Sequence, residues 1–476
     1  MRFELTRMRP IYWAALVLIG WGAVVLSTHS LRFDGFGIDE AAARALLLNW
    51  SVSDRVISTV FVFGLPDLRC LMFLPLGLYW PGSLLAAKVF TLIMAFLATY
   101  ALYRWSHRRV GGEAALIAAG LFLISPGLLS QIDSIGSGPY LLLAFAVGAW
   151  LDHRYRQAQR PLGGWFFIQL LLIAFVVSLH PMGLAYPLAL VLNWHRNPVD
   201  ERQQKHLYIG VILAITFEFI LRMGWGGGLD WLQNPLPYLQ SAIGGSMLAG
   251  TDFGLIVAVL AAALLLIALI PVRRQLTGDI LLSSLVLATI VGLFSGDANW
   301  GLVAMATLLF IGTPGLIAVN EAFPGHGLMA KRGLVLGLTF LLSLLFLQAD
   351  KAHYLRVEGD QLGDVDQLIL ALVDEIKDTP VDDTLVMSQW PGKTMLVIKR
   401  PVLPLPPNFA DGETLLKNIK GVSHLMFDPF SPENHQLRTN LSQISTRTET
   451  LTLQKDGVII LIKKPEEKKS VEQKAD

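Results

Sequence analysis

From Ile11 to Leu347 the chain is built from apolar blocks, most of them long enough for a helix to cross a bilayer, with charged residues kept mostly to the gaps. Crossing the hydrocarbon core takes about 20 residues of helix, whereas a soluble surface helix shows one apolar stripe with a period of 3.6. Charged residues make up only 16% of the 476 positions, against roughly 25% in a soluble domain. The sequence therefore predicts a mainly α, polytopic membrane protein with about eleven transmembrane helices. The expected spans are 11–27, 83–103, 113–130, 137–151, 164–180, 183–195, 207–224, 252–271, 279–295, 301–319 and 333–348. The first block follows three arginines but no small-residue cleavage site ends it, so it reads as a retained span rather than a signal peptide.

Basic residues set the orientation. Arg2, Arg7 and Arg9 precede the first span; Arg104, Arg108 and Arg109 follow the second; Arg154, Arg156 and Arg160 follow the fourth. Arg196, Arg202 and Lys205 follow the sixth, Arg273 and Arg274 the eighth, and Lys331 and Arg332 precede the eleventh. All fall on one side, which the rule makes the cytoplasm. The N-terminus is then cytoplasmic and the C-terminal part extracytoplasmic.

Near Asp350 the sequence changes character. A helix is expected over 364–377, a strand over 384–388, a helix over 412–419 and a strand over 424–427. Two further strands, 448–453 and 458–463, flank an Asp456-Gly457 turn. The expected division is a membrane domain over 1–348, a small α/β soluble domain over 349–463 and a disordered tail over 464–476. With a net charge of +1, nothing in the charge balance points to nucleic acid. Cys70 is the single cysteine, so no intrachain disulfide forms. No Walker loop, dinucleotide fingerprint or zinc-type spacing is present.

The polar residues at span ends divide by side, and the outer side collects the candidates for chemistry. The first outer loop, from Ser27 to about Pro81, is long enough to need a function, since unstructured connections beyond about 15 residues are uncommon. Asp39 and Glu40 lie in it. A carboxylate at a low-dielectric surface acts as a general base or holds a divalent metal; equally, Asp39 caps a helix starting near Ala41. Asp133 stands in the second outer loop, as an acid or a turn residue. His180 precedes Pro181 in the third outer turn, as a ligand or a hydrogen-bonded structural group. Glu218 and Arg222 share a helix face; Arg222 clamps a phosphate or pairs with Glu218. Arg69 is a second phosphate candidate or a snorkelling arginine. Asp297 occupies the turn between spans nine and ten.

Taken together, the order of these features resembles the GT-C glycosyltransferases, in particular the bacterial branch of the aminoarabinose transferase and protein O-mannosyltransferases. The resemblance rests on Ile38-Asp39-Glu40-Ala41, the Leu78 to Lys88 approach to span two, the basic turn at Arg104 to Arg109, Ser125-Pro126, Asp133 and His180-Pro181. It is best over residues 10–195. The resemblance implies a bacterial inner-membrane enzyme that moves a sugar from a polyprenyl-phosphate donor onto a lipid, glycan or protein acceptor on the periplasmic side. Asp39, with Glu40 beside it, and Asp133 would be its catalytic acids. Metal use varies in the family; if a divalent cation such as Mg or Mn takes part, Asp39 and Asp133 are its candidate ligands. A transporter or flippase of a lipid-linked sugar is the main alternative, although no internal repeat supports it. A non-catalytic envelope-assembly protein is a third reading.

Overall fold

The computed structural model describes residues 10–26, 84–110, 112–157, 163–197, 201–224, 279–295, 298–312, 364–380, 384–405, 411–430, 434–454 and 457–462. It also describes residues 43, 73, 76, 79, 80, 340, 343, 344, 346 and 347. In the first part of the chain all regular structure among these residues is helical. The helices are α1 Pro10–Val25, α2 Leu84–Val110, α3 Gly112–Leu123, α4 Pro126–Asp133, α5 Gly138–Gln157 and α6 Gly164–Leu179. After a 3-10 turn at Pro181–Leu184 come α7 Ala185–Arg196, α8 Glu201–Gly224, α9 Ile280–Ser295 and α10 Ala298–Thr307. A wider π turn, Leu308–Gly312, continues α10. Every expected span with described residues is mainly helical there; 252–271 lies outside them. Among the described residues one helix, Leu84–Arg109, is long and apolar enough to cross a membrane alone. The pair α3 and α4 passes the same test as one span bent by 46°, and shorter apolar helices accompany them.

The sequence reading took 113–130 as one span; the structure breaks it at Ser125-Pro126 and carries α4 on to Asp133. Proline has no N–H for the carbonyl four residues back, which must find another donor. Phe122 O takes Ser125 N at 3.1 Å and Ser125 Oγ at 2.7 Å. Leu123 O receives Trp21 Nε1 from α1 at 3.1 Å. Both of these carbonyls at the break thus find donors.

Small residues let the helices approach closely, as they do where lipid gives no hydrophobic drive between helices. Ala95 and Ala98 on α2 and Ala115, Ala118 and Ala119 on α3 are buried. On α5, Gly148 lies under the Tyr186 ring of α7, where a Cβ would come within 2.4 Å. The basic residues gather at one end of the bundle. There Arg109 Nη2 of α2 meets Asp279 Oδ2, just before α9, at 2.6 Å, and Trp105 Nε1 donates to the same oxygen at 2.7 Å. Asp152 of α5 takes Arg156 Nε and, from α7, Trp194 Nε1, each at 2.6 Å.

The C-terminal residues form a three-layer α/β unit. Its elements are α11 Asp364–Ile376, β1 Val386–Ser388, α12 Pro391–Ile398, β2 Val402–Pro404, α13 Gly412–Asn418, β3 His424–Phe427, α14 His435–Gln443, β4 Thr448–Gln454 and β5 Gly457–Ile462. The strand order is β2-β1-β3-β5-β4, parallel across the first three and antiparallel across the rest. Alternate residues serve opposite layers. Val386, Met426 and Ile459 face Leu368 and Leu372 of α11 and Met395 of α12. Met387, Leu425, Phe427 and Val458 face Leu415 of α13 and Leu437 and Leu441 of α14.

Expected strands and helices are found here at nearly the expected limits, with one difference at the hairpin. Gln454 pairs with Gly457, so Gly457 already belongs to β5 rather than to the turn. Its glycine answers a packing need, because a Cβ would stand 2.5 Å from Leu368 Cδ2.

The first core cluster fills the helical bundle. The second is continuous from the end of the bundle opposite the basic clusters into the α/β unit. It joins Ala43, Phe73, Ala87, Ile135, Tyr140 and Leu179 to Leu368, Val386, Met395 and Leu396. Helix α12 is buried on nearly all sides, at Pro391, Gly392, Thr394, Met395, Leu396 and Ile398. A helix lying on a sheet exposes one stripe; α12 has none because more than the sheet covers it.

Candidate functional site

At the end of the bundle away from the basic clusters, α4 stops at Asp133 and α2 has just begun. Asp133 is 4% exposed, and in the first turns of α2 Lys88 is 2% exposed. The two charges act on each other. A lysine so deeply withdrawn from water is rare outside an ion pair. Ser125-Pro126 redirects the chain, so that α4 ends with the buried Asp133 within electrostatic reach of the buried Lys88 near the start of α2.

Aromatic and hydroxyl groups line the neighbouring turn. Thr91, three residues after Lys88, has its Oγ1 2.8 Å from the Tyr140 hydroxyl and also donates to Ala87 O at 2.9 Å. The Phe73 ring lies edge-on to Phe90 and to Tyr140, each with centroids 6.1 Å apart. Phe73 lies between the first two expected spans and is fully buried. It is therefore anchored against α2 and α5 beside Lys88.

His180 occupies the same end, following Leu179 of the shared apolar cluster. Its Nδ1 accepts from Met182 N at 3.1 Å, which caps the 3-10 turn. Gly183 in that turn passes so close to α6 that a Cβ would fall 1.8 Å from Val176 O. The geometry gives His180 a capping task, the structural alternative for this residue.

Of the other candidates, Asp39, Glu40, Arg69 and Asp297 lie outside the described residues. Arg222 and Glu218 fall in the last turns of α8, where only the backbone is described. The structure thus brings Asp133, His180 and Phe73 to one end, and adds Lys88. Lys88 escaped the sequence reading although it closes the Leu78 to Lys88 motif. The signal was available, since an ionisable residue inside an apolar span marks function by default.

As for a metal, the described donors do not fit one. Among the described residues no three His, Cys, Asp or Glu side chains gather.

No family model matches the sequence, and no curated protein matches it. Solved structures do. The apo oligosaccharyltransferase of Archaeoglobus fulgidus superposes with a TM-score of 0.52 at 12% identity, over 93% of this chain and 73% of that one. ArnT from Cupriavidus metallidurans bound to undecaprenyl phosphate gives 0.46 at 13%, over 94% and 97%. AglB of A. fulgidus, in complex with an inhibitory peptide and a dolichol-phosphate, gives 0.47 at 12%, over 88% and 69%. At such identities the likeness is one of fold, and the first of the three carries it. In architecture the chain resembles that archaeal oligosaccharyltransferase.

Proposed function

We propose that this chain is a membrane glycosyltransferase. In this reading it moves a sugar from a polyprenyl-phosphate donor to a lipid, glycan or protein acceptor on the periplasmic face of a bacterial inner membrane. The domain limits 1–348, 349–463 and 464–476, the eleven spans and the extracytoplasmic α/β unit belong to the same reading. The observation that carries it is the buried pair of Lys88 and Asp133 at the end of the bundle opposite the basic clusters. The ArnT neighbour holds undecaprenyl phosphate, the class of lipid such a cation would grip.

The chemistry needs two things. The acceptor hydroxyl must lose its proton as its oxygen bonds the anomeric carbon, and the bond from that carbon to the phosphate oxygen must break. A carboxylate takes the proton; the phosphate leaves on the polyprenyl chain with the bonding electron pair. Lys88 stabilises the leaving phosphate electrostatically, an effect enlarged by a site that excludes water. Asp133 and Asp39, with Glu40 beside it, are the carboxylates for the proton. Asp39 precedes the buried Ala43 by four residues, a reach of at most about 14 Å. Arg69 and Arg222 would add phosphate contacts, and Asp297 an acceptor contact. A cation such as Mg or Mn has no assigned step.

Mass spectrometry of envelope lipids and glycans from cells with and without the chain tests this. A sugar modification present only with the wild-type chain, and absent with Asp133→Asn at equal expression, is the expected result. Identical profiles in all three overturn the reading.

A further inference from the structure

Between α4 and α5 the backbone takes an uncommon path. Ile135 N bonds Ile132 O at 3.4 Å, and Gly136 N bonds Gln131 O at 2.8 Å. This is a Schellman closure, whose left-handed residue is usually glycine. Here that residue is Ile135, with φ of 55°. For a β-branched side chain this region is an outlier, and such strain persists only where the surroundings over-determine it.

Two grips hold it. The Ile135 side chain is fully buried, in the apolar cluster of Ala87, Tyr140 and Leu179. From the other side, Gln131 is folded beneath the loop with 3% exposure, its Oε1 accepting from Gly138 N at 3.3 Å. Gly136 passes so near that a Cβ there would stand 1.9 Å from that oxygen. Asp133 lies between the two grips in sequence and shares the turn they hold.

We infer that Gln131 is the positioning residue for Asp133. Its amide carbonyl holds the strained turn in place, and the turn fixes where the Asp133 carboxylate stands. The inference rests on Asp133 being the site carboxylate, as proposed above. It also explains why the chain tolerates Ile135 in that conformation: relaxing the turn would move Asp133.

The test uses the full-length protein with Gly136→Ala, the double variant Gly136→Ala/Gln131→Ala, and Gln131→Met, which keeps length and bulk without the amide. Three quantities are followed: the thermal midpoint, retention of undecaprenyl phosphate by native mass spectrometry, and sugar transfer in cells. Gly136→Ala should lower the midpoint and transfer together. The double variant removes the collision, so its midpoint recovers, while transfer stays down about a hundredfold, the scale of a 1 Å misplacement. Gln131→Met should show the same loss of transfer. Undecaprenyl phosphate retention should stay within about twofold in each, since Lys88 is untouched.

Transfer that recovers with the midpoint, or that survives Gln131→Met, overturns the inference. Asp133→Asn is the control that separates the two ideas. If it transfers as wild type, the reading of Asp133 fails; if it is inactive while Gln131→Met is active, only the positioning role fails.

Discussion

Arg109 of α2 and Asp279, just ahead of α9, meet at 2.6 Å, although they stand at the ends of helices far apart in the chain. The contact ties the end of one expected span to the start of another, and both belong to the basic end of the bundle. Asp279 does more than pair. Its Oδ1 accepts from Leu281 N and Leu282 N at 3.0 and 3.2 Å, capping α9.

The first prediction follows. Asp279→Ala uncaps α9 and strands Trp105 Nε1 and Arg109, which should cost about 2–4 kcal/mol. Arg109→Met should cost less, because Arg109 is partly exposed. Thermal unfolding in detergent ranks the two. A larger loss for Arg109→Met would show that the cap does not matter.

The second concerns sidedness. The apolar cluster that joins Ile135 and Leu179 to α11 and α12 requires the α/β unit and Asp133 to share one side of the membrane. With Cys70→Ala as background, an impermeant thiol reagent should label Ser134→Cys and a cysteine placed after Asp476 from the same side. Labelling from opposite sides contradicts this.

The third tests His180. His180→Ala removes the acceptor for Met182 N and should destabilise by about 0.5–2 kcal/mol. His180→Asn keeps an acceptor and should retain both fold and transfer. Loss of transfer in a well-folded Asn variant would restore a substrate role for the imidazole.

The fourth concerns pH. In β3, His424 is buried, and that burial holds its pKa below the ordinary 6.5, with Glu375 pulling weakly the other way. The unfolded chain then binds more protons than the folded one below about pH 6.5, so stability falls as the medium is acidified through that value. His424→Gln should flatten the thermal midpoint of the α/β unit between pH 7 and 5 (about the range in which histidine titrates). An unchanged slope would remove His424 as its cause.

How much of this was legible in the sequence varied with length. Long apolar blocks such as 83–103 announce themselves because the bilayer demands about 20 residues. The strand His424–Phe427 and the helix starting at Asp364 were also legible, one by its apolar run and the other by its amphipathic period. Helix α12 and strand β2 were not. At eight and three residues they are too short to show a period, and α12 is buried at six of its eight positions, which leaves little amphipathic contrast. The Asp152–Arg156 pair was also hidden, since Arg156 had been counted only as a basic end residue.

The candidate site was half legible. Asp133 was found because it stands in a turn between two apolar blocks. Lys88 carried a sequence signal, an ionisable group inside an apolar span, but its deep burial within electrostatic reach of Asp133, 45 residues later, is a product of the fold.

Binding of undecaprenyl phosphate to the purified full-length protein tests the central claim most directly, because it reads the cation without needing the sugar or acceptor. The wild type and Lys88→Arg should retain the lipid in native mass spectrometry, and Lys88→Met should lose at least about tenfold in affinity, the weight of one charge-assisted contact. Equal retention by Lys88→Met and the wild type would contradict a phosphate held at Lys88.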